Sequence, residues 1–389
     1  MGVLSQCLLA GVTTFGSALD WVLAGATVIF LFFTFLPISK NPVWYVRGAD
    51  FPRLQFSLFG LAVFVAMVSR FEPSSVLHWL ILGGLVGGML YQAWWILPFT
   101  VIVPKEVKPA SSASRGQRLR ILSANVLMTN RRYCDFLAVV KREDPDVIIT
   151  LETNGEWERT LASIESTHPF SLKCPLENLY GMHVYSRWPI EDARIQFLVE
   201  KEVPSMHMLI ALPDGKRIRV HSLHPAPPSP SENETSEERD AELIMVGKAI
   251  RGARFPVIVT GDLNDVAWSR TTRRFRKLSR LLDPRVGRGM FNTFHAKYFF
   301  MRWPVDHFFH SREFSVLRMA RLENIGSDHF PVLIDLVLGD PSSGHAPAPD
   351  DDDQAEAEEA MNRQGASENE VHQPGESSAE LSNAETQGR

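Results

Sequence analysis

Residues 256–264 read PVIVTGDLN, and the way this stretch ends decides the fold. Val257, Ile258 and Val259 are β-branched, the composition of a short buried strand, and Thr260-Gly261-Asp262-Leu263-Asn264 stops it abruptly. Such a strand delivers its last side chains into a cleft. Asp262 and Asn264 alternate with Leu263, so they are expected to point the same way. A carboxylate beside an amide at a strand end suits orienting a water and holding a phosphate oxygen. The same residue types also cap helices and make turns, so both readings stand on this stretch alone.

Working outward, residues 118–339 read as one α/β domain. Further strands are expected at 119–126, 146–151, 181–186, 206–212, 217–223, 305–310, 314–320 and 332–337. Helices are expected at 133–141, 237–250 and 268–282. Asp214-Gly215 is a strong hairpin signal between two of the strands. Strands alternating with helices and hairpins indicate mixed sheets, not an all-parallel one.

Polar residues end these apolar strands six times over: Asn125, Glu152, His224, Asp262 with Asn264, Asp306, and Asp328 with His329. One such residue is ordinarily a cap or a core histidine. Six in one domain point to a shared site.

The ordered set SANV (123–126), ITLET (149–153), YSRWPI (185–190), LHPAPP (223–228), GDLND (261–265), WPVDH (303–307) and SDHFPV (327–332) resembles the DNase-I-like endonuclease/exonuclease/phosphatase superfamily. The resemblance spans about residues 119–338, and the anchored N-terminus described below makes it a membrane-anchored bacterial type. It implies two packed mixed β-sheets flanked by helices in a four-layer sandwich, a divalent metal, and hydrolysis of phosphate esters. Mg²⁺ (or Mn²⁺) is the implied cofactor, with Glu152 as its firm ligand and Asn125 and Asp328 completing that shell. A hard cation of this kind prefers carboxylate and amide oxygens and keeps several waters. Asp262 then orients or deprotonates the attacking water, Asn264 holds a phosphate oxygen, and His224 and His329 donate to the phosphate. Asp306 fixes the tautomer of His329 and raises its basicity. One departure is Leu127, which stands where many relatives carry an acid, and it leaves one or two metals open.

Outside the domain the composition changes. Residues 1–102 read as a transmembrane region of about three helices, with apolar runs at 21–38, 56–68 and 76–103. Gly83-Gly84 and Gly87-Gly88 permit close helix contact, and Trp94 and Trp95 suit an interfacial belt. Residues 3–16 read as an interfacial extension, and no basic n-region marks a cleaved signal peptide. Lys40, Arg47 and Arg53 after the first span, and Lys105, Lys108, Arg115, Arg118 and Arg120 after the third, lean toward a cytoplasmic domain. Residues 103–117 read as a Pro/Ser/Ala linker. Residues 340–389 carry Asp350 to Asp353 and hardly an aromatic, the composition of a disordered acidic tail. This tail accounts for a net charge of -5 over a basic middle. Cys7, Cys134 and Cys174 have no CxxC spacing, which excludes a disulfide framework or a zinc site of that kind.

The substrate clues are three. Arg270, Arg273, Arg274, Lys277 and Arg280 place a basic face on the helix after GDLND, opposite Phe275, Leu278 and Leu282. That face suits anionic headgroups or nucleic acid, or is simply solvated. Residues 291–303 (FNTFHAKYFFMRW) either pack under the sheet or form an apolar lip beside the cleft. The expected partners are therefore a lipid bilayer and a phosphate-containing substrate, a phospholipid or polyprenyl phosphate before a nucleic acid. An inactive membrane scaffold is the remaining alternative, and no obligate protein partner is evident.

Overall fold

A computed structural model describes residues 17–376 except 112, 113, 115, 340, 342, 343 and 345. The interfacial extension expected at 3–16 and the end of the tail, 377–389, lie outside the described residues. The chain divides into two units, one ending at Pro98 and one beginning at Phe99.

The first unit is helical: α1 (Ala18–Phe35), the short α2 (Trp44–Gly48), α3 (Arg53–Val68) and α4 (Val76–Ile96). Ser17 and Asp20 close a capping box at the start of α1. Phe30 of α1 packs where α3 and α4 carry Gly60 and Gly88, and a Cβ at either glycine would lie 2.7 or 2.5 Å from its ring. Gly84 and Gly88 thus make the close contacts expected of the glycine pairs, whereas Gly83 and Gly87 face open space. Ala18–Ile38 and Val76–Phe99 are long and apolar enough to cross a membrane. With 16 residues, Arg53–Val68 spans only about 24 Å as a helix, short of a bilayer core. Trp21, Phe32, Leu80, Leu90 and Trp94 are exposed, unlike the side chains of a soluble core helix.

The second unit contains two mixed sheets. The first runs β10-β11-β1-β2-β4-β3 and the second β5-β6-β7-β8-β9. The strands are β1 (Gln117–Asn125), β2 (Val147–Leu151), β3 (Phe170–Cys174), β4 (Met182–Ser186), β5 (Ile190–Gln196), β6 (Ser205–Ala211), β7 (Arg217–Ser222), β8 (Val257–Asp262), β9 (Asp306–His310), β10 (Phe314–Arg321) and β11 (Val332–Leu338). Among the described strands, β1/β2 and β7/β8 are the parallel pairs, one near the middle of each sheet. β6 and β7 form the hairpin signalled by Asp214-Gly215.

Alternation explains the layers. Leu119 and Ile121 of β1, Ile149 of β2, Met208 of β6 and Ile258 of β8 fill the space between the sheets. Their neighbours Leu122, Ala124 and Ile148 face α5 (Tyr133–Glu143) and α6 (Gly155–Leu161) instead. Val257 and Val259 pack against α7 (Glu237–Ala249) and α8 (Arg270–Ser279). Both faces of the central strands are buried, which is why their sequences read as continuous apolar runs. β3 and β5, missed in the sequence, are half-exposed edge strands with mixed polar composition. The helix α6 was missed because its start signal is a single residue, the Asn154 cap.

Three expectations need correction. The linker is not free: Val107 is fully buried, and Lys108 and Ala110 pair with Val316 on the edge of the first sheet. Glu106 accepts from Arg276 at 2.5 and 2.7 Å and from the Asp283 backbone at 3.2 Å. The acidic tail is not disordered over its described part. Residues 351–364 form α9 (Asp351–Gln364), whose Ala357 and Met361 enter the core cluster under α7 and α8. The basic face of α8 is not open either. Arg270 and Arg274 pair with Glu356, and Lys277 with Asp350 and Asp353.

Candidate active site

Because β1/β2 and β7/β8 are parallel pairs, the ends of all four strands emerge at one end of the two sheets. β9 runs antiparallel to β8, so its first residue, Asp306, sits opposite Asp262. The turn before β11 is tied to the same end, since Ser327 Oγ donates to the Asn125 carbonyl at 2.9 Å and accepts from His329 N at 3.0 Å. In this way the topology gathers polar groups that lie up to two hundred residues apart. Asn125 and Asp262 both occupy inward positions on their strands, and Asn125 Nδ2 donates to Asp262 Oδ2 at 3.3 Å, bridging the sheets. It also donates to Glu152 Oε1 at 2.7 Å.

Two glycines make this closeness possible. A Cβ at Gly261 (φ 141°) would lie 1.9 Å from the Leu223 carbonyl, so only glycine lets β8 pass the segment that presents His224. A Cβ at Gly181 would lie 1.8 Å from the Thr153 carbonyl, beside the turn that carries Glu152. Leu151 already points between the sheets, so simple alternation would send Glu152 outward. Its left-handed φ of 58° ends the strand and re-aims the side chain to Asn125.

His329 stands between two carboxylates, its Nδ1 2.8 Å from Asp306 Oδ2 and its Nε2 3.5 Å from Asp262 Oδ2. Burial opposes its charge, yet Asp306, Asp262 and Asp328 raise it to about 10, so it is an imidazolium at neutral pH. Burial pushes Asp262 up to about 7 despite the pull of His329, near where a general base works at neutral pH. His224, with Nε2 3.9 Å from Asp262, is held down to about 3 by burial and by His329, and is therefore neutral. Its Nδ1 has no hydrogen-bond partner among the described residues.

Glu152 is the residue that would anchor a divalent cation. Burial pushes its carboxyl up to about 7, with the Asn125 amide and the His329 charge only partly offsetting, and the charge of Asp328 raises it further. A hard cation here would be held by Glu152 and Asp328 and would add positive charge to that of His329. Asn125 bonds through both ends of its amide. Its Oδ1 accepts from Leu127 N at 3.1 Å, and it presents its amide nitrogen to both carboxylates, as a donor that spaces them. Asp262, Asp306 and His329 also offer ligand atoms within 4.8 Å of one another. A cation there has to displace the imidazolium proton that two carboxylates stabilise, so this trio is better described as an ion-pair network.

Asn264 lies just past the strand end. The strand ends at Asp262, and Asn264 takes a left-handed φ of 49°. Its backbone donates to Asp262 Oδ1 at 2.9 Å and its amide to the Pro225 carbonyl at 3.1 Å, so it clamps the His224 loop against the base. The sequence reading missed Tyr180, whose ring is 5.2 Å from that of His224 and whose hydroxyl donates to Glu232. It missed Ser327 as well. Ser327 directly precedes Asp328 and Tyr180 sits just before the strand expected at 181–186, and only their place at element ends signals them. Residues 291–303 form the lip, not a layer under the sheet: the Phe294 ring is 4.9 Å from His329, and Phe299 is exposed. A cavity of about 270 Å³ lined by Phe255, Arg280 and Arg312 lies at the start of β8, away from Asp262, and none of the clustered groups lines it.

The sequence profile of the Endonuclease/Exonuclease/phosphatase family matches residues 122–329. Among solved structures the chain is similar to an endonuclease/exonuclease/phosphatase from Beutenbergia cavernae, with 18% identity over 57% of this chain and 72% of that one and a TM-score of 0.47. It is similar to the human Nocturnin catalytic domain with bound sulfate, with 15% identity over 57% and 94% and a TM-score of 0.47. A mannosyl-6-phosphatase from Bacteroides thetaiotaomicron gives 20% identity over 57% and 100% and a TM-score of 0.42. At these identities and scores none of the three bears on what this chain acts upon. No curated protein matches.

Proposed function

Because this chain belongs to the endonuclease/exonuclease/phosphatase family, we propose that it is a membrane-tethered, divalent-metal-dependent phosphoesterase acting on a lipid phosphate ester or phosphodiester. The family comprises nucleases, phosphatases and phosphodiesterases, all hydrolases of phosphate esters. The observation that supports catalysis is the network Glu152–Asn125–Asp262–His329–Asp306, buried at the meeting point of both sheets. A scaffold has no use for so many desolvated charges, each costly to bury.

In this reading Asp262 accepts the proton of a water whose oxygen attacks phosphorus while the ester P–O bond breaks. The imidazolium of His329 neutralises a phosphoryl oxygen as charge builds, and Asp306 holds that ring in place. Neutral His224 offers a single N–H on the other side of Asp262. Asn125 keeps the base and Glu152 in register. A cation on Glu152 and Asp328, Mg²⁺ or Mn²⁺ by ligand type, polarises the phosphoryl group when bound.

The lipid substrate rests on the two helices long enough to cross a membrane, since a tether concentrates the site where such a substrate is confined. A nuclease reading has the support of the family and of the basic face of α8, and three residues of that face, Arg270, Arg274 and Lys277, are ion-paired to α9. Full-length protein in lipid nanodiscs with Mg²⁺ should release phosphate or headgroup from a lipid phosphate and leave DNA intact. Efficient DNA cleavage with inert lipid sinks the proposal.

A further inference from the structure

Beside the active site a short loop projects its least soluble side chains into solvent. Phe294 pairs with Trp303, and His295 N donates to the Met301 carbonyl at 2.7 Å, so residues 293–303 form a narrow stem with a tip at 297–301. At that tip Tyr298, Phe299, Phe300 and Met301 are 50, 79, 57 and 41% exposed. Four consecutive large apolar residues in water are costly, and a contiguous patch of this kind marks an interaction surface. The stem is fastened to the catalytic residues. Ala296 N donates to the Asp328 carbonyl at 2.6 Å, and the Phe294 ring lies 4.9 Å from His329.

We infer that this tip is a bilayer-docking surface, which inserts its aromatic side chains among lipid headgroups and holds the mouth of the active site at the membrane. The inference rests on the membrane-lipid reading above and deepens it. Charge identifies the occupant. Lys297 and Arg302 flank the tip directly, and no acidic residue lies between 284 and 305. Aromatic side chains flanked by one Lys and one Arg match an anionic headgroup layer, where rings settle at the interface and cations meet phosphates. The same chain carries two helices long and apolar enough to cross a membrane, so a bilayer is the one apolar surface kept near it throughout. The stem then has a purpose that a free loop lacks: what the tip touches is positioned relative to His329 and Asp328.

Full-length protein with Cys7, Cys134 and Cys174 changed to Ser can carry a nitroxide on Phe299→Cys, or on Lys216→Cys at the exposed β6–β7 hairpin as the reference. In phosphatidylglycerol/phosphatidylcholine vesicles the label at 299 should collide more with oxygen than with a water-soluble nickel chelate. That preference should grow with the phosphatidylglycerol fraction, while the label at 216 stays aqueous. A label at 299 as open to nickel as the reference overturns the inference, and so does spin–spin broadening between copies, which assigns the tip to a second copy. Phe299→Ser combined with Phe300→Ser should leave turnover of a soluble phosphodiester unchanged and lower turnover of vesicle lipid phosphate roughly tenfold. Insertion without any lipid turnover overturns the proposed substrate and upholds docking. Lipid turnover with an aqueous, nickel-exposed 299 upholds the substrate and overturns docking.

Discussion

Replacing Glu242 with Gln should stabilise the protein at alkaline pH and leave it nearly unchanged in acid. Glu242 lies on α7, among residues that α7 buries against the second sheet and α9, and it is only 2% exposed. Its Oε1 has no hydrogen-bond partner among the described residues. Burial, with a smaller push from Glu200, raises its carboxyl from 4.5 to about 8. The sign follows from where the proton sits. The unfolded chain releases it near pH 4.5, whereas the fold keeps it until about pH 8, so stability falls as pH rises across that window. Each pH unit in the window is worth about 1.4 kcal/mol, and allowing half for relaxation around a buried acid leaves about 2–4 kcal/mol at pH 8. An amide mimics the protonated carboxyl in shape and in its donor, so Glu242→Gln removes the titration without emptying the site. Thermal unfolding of the detergent-solubilised full chain at pH 5 and pH 8 reads the effect. The variant should gain about 5–10 °C at pH 8 and little at pH 5. An equal shift at both pH values, or a loss at pH 8, refutes the reasoning.

The remaining predictions concern the site and the tail. Glu152→Gln should abolish most Mg²⁺-dependent turnover with an unchanged fold, because it removes a ligand and no volume; near-normal rates in saturating Mg²⁺ would displace the metal from Glu152. His329→Ala and Asp262→Asn should each slow a soluble phosphodiester by roughly two orders of magnitude or more, and Asp306→Asn by less, since it acts through His329. An Asp306 variant worse than the His329 variant reverses that hierarchy. Truncation after residue 349 should lower Tm by about 5–10 °C, as α9 takes Met361 and Ala357 out of the core, and an unchanged Tm would return the tail to disorder.

The site was legible in the sequence to the extent that strands carry their own punctuation. Runs such as 257–259 and 147–151 announce buried strands, and the acid or amide that ends each one is visible without knowing its partners. Parallel pairing then collects those ends, which is why Asn125, Asp262, Asp306 and His329 meet as expected. What alternation does not reveal is a residue that leaves it. Glu152 reaches the cluster and Asn264 bonds the Pro225 carbonyl beside His224 because both adopt left-handed backbone, a choice set by the tertiary environment and not by their residue type. Edge strands β3 and β5 were lost for a related reason: half-exposed, they lack the apolar signature that burial on two faces imposes on β1 and β8.

The acidic tail shows how composition misleads when its complement lies elsewhere in the chain. Residues 350–356 hold too little apolar surface to fold alone, and that judgement is correct for the isolated segment. The structure supplies what the segment lacks. Asp350 and Asp353 begin α9 with a capping box, and both pair with Lys277, while Glu356 pairs with Arg270 and Arg274 of α8. Ala357 and Met361, at helical spacing from Asp353, then bury against α7 and α8. Further on, fully buried Arg219 donates to the Pro374 carbonyl and to Gln373, each at 2.7 Å. A basic helix and an acidic segment that each look like interaction surfaces are therefore one another's partners. The segment's charge, which argued for disorder when read alone, is what orders it, and the same contacts engage Arg270, Arg274 and Lys277 of the basic face of α8.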